Sequence, residues 1–89
     1  MSFKVFLHPK AARSLAKLEV ALRSRIKEAL NELEDSPQTK GEQIRPSDFW
    51  RLRIGDYRAI YEIDRETHRV IVLYIGHRKN IYDDFSRLL

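Results

Sequence analysis

Three arginines, Arg51, Arg53 and Arg58, flank a Gly55-Asp56 pair in a stretch that otherwise alternates apolar and polar residues; His77, Arg78, Lys79 and Tyr82 follow further along the chain. The planar guanidinium of arginine forks onto phosphate oxygens, so a group of arginines points to a polyphosphate or a nucleic-acid backbone. Arginines with a tyrosine and a histidine, and no metal ligands, suit the cleavage of RNA by its own 2′-hydroxyl. The ribose supplies the nucleophile and no covalent residue is required. The protein must accept the hydroxyl proton, stabilise the pentavalent phosphate with cations, and place a donor near the 5′-oxygen leaving group. Arginine stays protonated at neutral pH, which makes it a strong charge stabiliser and a reluctant acid. Such a site works slowly on free RNA unless something else holds the substrate in line.

Two of these residues admit more than one reading. His77 follows Gly76 at the end of an apolar run, where it can carry a proton near neutral pH or simply close a strand next to solvent. Tyr82 lies four residues past Arg78, so the two can share one face of a turn or helix, or Tyr82 can cap the core. Arg45 and Lys79 complete the basic set as candidate RNA contacts, beside His77.

A hairpin must position the three central arginines. Residues 49–54 and 57–63 each alternate in polarity, and a Gly-Xaa pair between two such runs predicts a two-residue hairpin loop. That loop sets Ile54 against Tyr57, Arg53 against Arg58, Leu52 against Ala59, Arg51 against Ile60 and Trp50 against Tyr61. One face then carries Trp50, Leu52, Ile54, Tyr57, Ala59, Tyr61 and Ile63, and the other carries Arg51, Arg53 and Arg58. A one-residue slip would mix the two sets and break the core. Like charges directly opposite each other on a sheet cost a few tenths to ~1 kcal/mol. An anion bound over the face accounts for that cost; internal pairing with Glu62, Asp83, Asp84 or the chain terminus is the alternative.

The remaining pattern predicts an α+β fold. Phe3–Leu7 reads as a strand that stops at Pro9, and Pro9 suits the first turn of a helix. Ala12, Leu15 and Leu18, then Leu22, Ile26, Ala29, Leu30 and Leu33, recur at helical spacing and predict a helical hairpin ending at Ser36-Pro37. The polar segment 38–47 reads as a loop. Val70–Ile75 is apolar on both faces and reads as an interior strand. Ile81, Tyr82, Phe85, Leu88 and Leu89 suggest a short C-terminal helix. The expected architecture is an N-terminal strand, a helical hairpin and a three-stranded antiparallel meander. These make a four-stranded sheet with helices on one face, and a single domain over 1–89.

Composition excludes several alternatives. The 89 residues carry 17 Lys plus Arg against 13 Asp plus Glu, a net charge of +4, with a surplus of three between Arg45 and Lys79. There is no cysteine, so disulfides and thiolate chemistry are excluded. The three histidines are scattered, and no Gly-rich phosphate loop, dinucleotide fingerprint or nucleophile elbow is present. The longest apolar run is six residues, too short to span a bilayer. The first residues lack a secretory signal, so a cytoplasmic location without membrane attachment is expected.

The run Trp50–Ile63, which contains Arg-x-Arg and Gly-Asp-Tyr-Arg-x-x-Tyr, followed by Val70–Ile75 and Gly76-His77-Arg78-Lys79-Asn80-Ile81-Tyr82, resembles the RelE/ParE toxin superfamily, most closely its RelE branch. The resemblance covers essentially the whole chain. It implies the toxin of a type II toxin–antitoxin pair: a ribosome-dependent mRNA endonuclease that cuts the A-site codon without metal or cofactor. It also implies neutralisation by a RelB-like antitoxin, with operator DNA contacted only through the antitoxin complex. By position, Arg51 and Arg53 take the role of paired basic residues that hold phosphate and stabilise charge, although lysines often stand there. Arg58 takes the scissile phosphate, Arg78 a leaving-group or transition-state role, and Tyr82 that of base or stacking partner. A ParE-like inhibitor of DNA gyrase, or a non-enzymatic binding module such as a decayed toxin, are the competing implications.

Overall fold

The computed structural model describes residues 2–82. Its order is β1 (Lys4–Leu7), α1 (Pro9–Ala16), α2 (Val20–Asn31), a 3-10 turn (Glu32–Glu34), α3 (Pro37–Lys40), β2 (Glu42–Gln43), β3 (Trp50–Ile54), β4 (Tyr57–Asp64) and β5 (Arg69–His77). The sheet runs β1-β5-β4-β3-β2, with β1 parallel to β5 and the remaining pairs antiparallel. The four expected strands are all present. A fifth, the two-residue β2, is added along the edge of β3, inside the segment expected to be a loop.

Local chemistry explains the helix boundaries. Pro9 sits in the first turn of α1, and the His8 Nδ1 accepts from the Lys10 amide at 3.1 Å. Glu19 caps α2 through a 2.7 Å bond from the Ala21 amide. α2 ends at Asn31 and relaxes into the 3-10 turn, so Ser36-Pro37 opens α3 instead of closing the long helix. Ile81 and Tyr82 begin a helical turn; the rest of the expected C-terminal helix, with Phe85, Leu88 and Leu89, lies outside the described residues.

The helices cover one face of the sheet. Ala11, Leu15, Ile26, Leu30 and Leu33 pack on Leu52, Ile54, Ala59, Tyr61, Val70, Val72 and Ile75. This is the face that alternation assigned to the core. Trp50 and Tyr57 lie at its margin, half-buried, and Trp50 stacks on Tyr61 at 6.4 Å. On the other face Ile60 and Ile81 are fully buried beneath Ile44, Phe49, Leu73 and Tyr74. That face was expected to be uncovered. A second, smaller apolar cluster occupies part of it.

Tyr61 ties the sheet to the α3 segment. It is fully buried, and its hydroxyl donates to the Pro37 carbonyl at 2.6 Å. Burial pushes its phenol up to about 12, so it stays protonated and keeps donating. Gly41 lies directly on it: a Cβ there would collide with the Tyr61 hydroxyl and stand 2.7 Å from the Arg51 carbonyl oxygen. Glycine at this position is what allows β2 to approach β3.

Tyr61→Phe is expected to leave the Pro37 carbonyl without its donor and to lower unfolding free energy by about 1–3 kcal/mol, measured by urea denaturation. In the β4–β5 turn, Asp64 accepts from the Glu66 and Thr67 amides at 3.1 and 3.3 Å. These bonds, those to Thr67 foremost, hold its carboxyl below the usual range. A depressed carboxyl contributes stability above its unfolded pKa and loses it as pH falls through the folded value. Asp64→Ala should therefore flatten the acid limb of the stability–pH curve and leave its slope above neutrality unchanged.

Candidate functional site

The two-residue turn after β3 sets the site. Gly55 adopts a positive φ of 60°, and the hairpin pairs Ile54 with Tyr57, Arg53 with Arg58, Leu52 with Ala59, Arg51 with Ile60 and Trp50 with Tyr61. This is the register the alternation predicts. Arg51, Arg53 and Arg58 leave the sheet on the side away from α1 and α2. Together with Arg78, Lys79 and Tyr82 they line an open groove of about 360 Å³.

Each cation is held differently. Arg51 is more enclosed than Arg53 or Arg78. Its Nη1 donates to the Tyr82 hydroxyl at 2.6 Å, its Nη2 donates to Glu42 Oε2 at 3.0 Å, and its guanidinium lies 5.9 Å from the centre of the Tyr82 ring. Its Nε is buried with no hydrogen-bond partner among the described residues. The bond to Tyr82, followed by that to Glu42, raises Arg51 further above its ordinary range, so Arg51 is a permanent cation. Arg53 is exposed and reaches the same carboxylate, with Nε 3.9 Å from Glu42 Oε1. Arg58 turns back on the hairpin, and its Nη1 donates to the Gly55 and Tyr57 carbonyls at 2.7 and 2.8 Å. Arg78 pairs with Asp56 at 3.7 Å, and its amide donates to the Asp56 carbonyl at 2.8 Å.

Sequence reasoning did not single out Glu42. It stands opposite Arg51 on β2, and the Arg51 hydrogen bond, then the charge of Arg53, hold its carboxyl below the usual range. A two-residue strand in a polar segment gives no alternation to read. The available signal was an acid beside Gly41, at a point where the chain has to come close to β3. Of the internal partners weighed for the arginines, Glu62 lines a separate groove with Gln43, Asp48, Trp50, Ile63 and Arg65. Asp83 and Asp84 lie outside the described residues.

Two expected contacts stand elsewhere. His77 pairs with Tyr57 across β4 and β5, their rings 5.4 Å apart and edge to face, so it sits on the helix side of the sheet. The cause is a bulge in β5. Tyr61 pairs with Val72 and Ile60 with Tyr74, which leaves Leu73 unpaired and inverts the facing of every later residue in the strand. His77 Nδ1 accepts from the Lys79 amide at 3.2 Å, so it shapes the turn that carries Lys79 and Arg78. Arg45 is exposed in the β2–β3 connection, where its peptide bond to Pro46 is cis, and it does not line the groove.

Chemically, the groove offers five cations, one phenol and the carboxylates of Glu42 and Asp56. It can bind a phosphate from several directions and stabilise added negative charge. The described residues contain no group of three or more His, Cys, Asp or Glu able to hold a metal ion, and no helix long and apolar enough to cross a membrane.

Comparison with known proteins finds relatives of the same fold. The chain resembles the toxin of the RelBE2 toxin–antitoxin complex from Mycobacterium tuberculosis at 28% identity, with a TM-score of 0.82 over 88% of this chain and 100% of that one. It resembles a free mutant of the E. coli toxin RelE at 25% identity, with a TM-score of 0.79 over the full length of both chains. The archaeal RelE–RelB complex from Pyrococcus horikoshii gives 26% identity and a TM-score of 0.73 over 88% of this chain and 97% of that one. No curated protein sequence matches the chain. The profile of the ParE toxin of type II toxin–antitoxin systems, parDE, matches residues 5–82. With nearly the whole fold inside that match, the chain belongs to this toxin family and is a type II toxin of the RelE/ParE superfamily.

Proposed function

We propose that this toxin is a ribosome-dependent mRNA endonuclease acting in the cytoplasm. In this reading it cuts A-site mRNA by attack of the substrate's own 2′-hydroxyl, without metal or cofactor. The observation that carries the reading is the convergence of Arg51, Arg53, Arg58, Arg78 and Lys79 with Tyr82 on one groove. Arg51 and Arg53 hold the backbone on either side of the cut. Arg58 takes the scissile phosphate, because among the described residues both of its internal bonds run from Nη1 and leave Nε and Nη2 for a ligand. Arg78, on the turn after β5, faces the leaving oxygen. Tyr82 is favoured over His77 for the proton step, since it lies on the groove and His77 lies on the other face. Its oxygen accepts from Arg51, a cation suited to stabilising negative charge that forms there.

A RelB-like antitoxin is the expected protein partner, in keeping with the toxin–antitoxin complexes among the related structures. Operator DNA is then reached only through that complex. The ParE name of the family profile favours a second reading, inhibition of DNA gyrase on the same fold.

Mapping mRNA 5′-ends after induction, with and without ribosomes, separates the two. Codon-positioned cuts that require ribosomes are expected, with no inhibition of supercoiling. Arg58→Ala and Arg78→Ala should each reduce cleavage by about 10²–10³ and relieve toxicity with the fold intact. Inhibition of supercoiling without new mRNA ends would establish the gyrase reading instead.

A further inference from the structure

Among the described residues, Glu42 is the one carboxylate that bridges two of the groove arginines, at 3.0 Å to Arg51 and 3.9 Å to Arg53. The two ends of the stronger bridge differ in character. The Arg51 side chain is 28% exposed and is fixed by Tyr82, whereas the Glu42 side chain is 58% exposed and stands on a two-residue edge strand. Exposed ion pairs of this kind contribute little to stability and are screened by salt. The cation is therefore built in, and the anion is replaceable.

We propose that Glu42 is a specificity-determining residue that competes with the substrate phosphate for Arg51 and Arg53. It sets a threshold that weakly presented polyanions do not cross. The inference rests on the nucleic-acid reading of the groove. In the ligand-free protein the Glu42 carboxylate accepts a hydrogen bond from Arg51 and pairs at longer range with Arg53, at the place where a backbone phosphate has to sit. A ribose-phosphate displaces it and takes over the same donors. Glu42 lies at neither the hairpin turn nor Arg78, so it leaves the Arg58 and Arg78 end of the groove open to a first contact. A strand held in line by other means then makes the exchange. A free strand faces the full repulsion of the carboxylate. The residue thereby lowers affinity for unpositioned nucleic acid and leaves the charged groove intact for a positioned one.

The test uses the full chain and a labelled single-stranded deoxyribonucleotide hexamer, which lacks the 2′-hydroxyl and cannot be cleaved. Binding is measured from low to moderate salt for the wild type, Glu42→Gln and Glu42→Ala. Glu32→Gln serves as the control, because Glu32 pairs with Lys40, and neither of the two lines the groove. Both Glu42 variants should bind about fivefold more tightly. Their plots of log K against log salt should be steeper by about 0.7, the increment for one further phosphate contact on a single strand. Glu32→Gln should match the wild type. A merely structural role for Glu42 would not steepen the salt dependence. Unchanged affinity and slope in the Glu42 variants would overturn the inference, and so would weaker binding, which would mean that Arg51 needs Glu42 to be presented. If mRNA cleavage is absent but the Glu42 variants still bind more tightly, the nuclease reading fails and the competition stands. If cleavage is present and the variants bind like wild type, the competition alone fails. An absence of measurable hexamer binding by all forms at low salt overturns the competition, while the nuclease reading stands or falls on the mapped mRNA ends.

Discussion

The pairing of Arg53 with Arg58 across the β3–β4 hairpin is the constraint around which the structure is organised. Two guanidinium groups directly opposite each other repel, yet the register cannot shift. A one-residue slip would turn Leu52, Ile54, Ala59 and Tyr61 out of the main core. Burying those four side chains is worth several kcal/mol, against roughly 1 kcal/mol of cross-strand repulsion, so the hydrophobic face wins. The repulsion is eased locally. Arg58 folds back onto the carbonyls of the turn, Arg53 leans toward Glu42, and Arg78 leans toward Asp56. The glycine that permits the tight turn also exposes the carbonyl that anchors Arg58.

The second face of the sheet depends on the first. A flat sheet with regular alternation along β5 would send Leu73 and Tyr74 to opposite sides. The bulge leaves Leu73 unpaired, and both residues pack around Ile60 and Ile81. Burial of Ile81 fixes the turn that carries Tyr82, and Tyr82 then reaches Arg51 from the neighbouring position in sequence. One inserted residue in β5 thus helps to build the small cluster that sets the tyrosine beside the arginines. It also removes His77 to the other face.

Much of this was legible in the sequence because it follows from period and turn chemistry. The hairpin register came from strict alternation on both sides of Gly55-Asp56, and it correctly brought Arg51, Arg53 and Arg58 to one face. The helical stripe gave the core residues of α2, Ile26 and Leu30; in α1 it gave Leu15 but took Ala12, which is exposed, in place of the buried Ala11. The failures have specific causes. The bulge at Leu73 leaves no mark in a run that is apolar throughout, so the face that His77 takes is not legible there. β2 is too short to show a period, and Glu42 went unnoticed with it. Gly41 looked like loop punctuation, although what matters there is the close approach to Tyr61 and to the Arg51 backbone, a long-range contact that no local pattern encodes.

The balance of charge in the groove bears on why such a site would need help. Arg53 and Arg78 are held by ion pairs that are long and exposed, so each offers a ligand only a modest, screened attraction. Acceleration depends on interactions that strengthen as charge develops on the phosphate, not on tight holding of the ground state. A groove of this kind has the cations for the transition state but little surface with which to grip and align a strand. Alignment of the 2′-oxygen, phosphorus and 5′-oxygen accounts for a large share of the barrier to cleavage, and it can be supplied by whatever presents the strand. In the proposed reaction the ribosome supplies it. The protein contributes a sheet whose core fixes the backbone positions from which Arg51, Arg53 and Arg58 project.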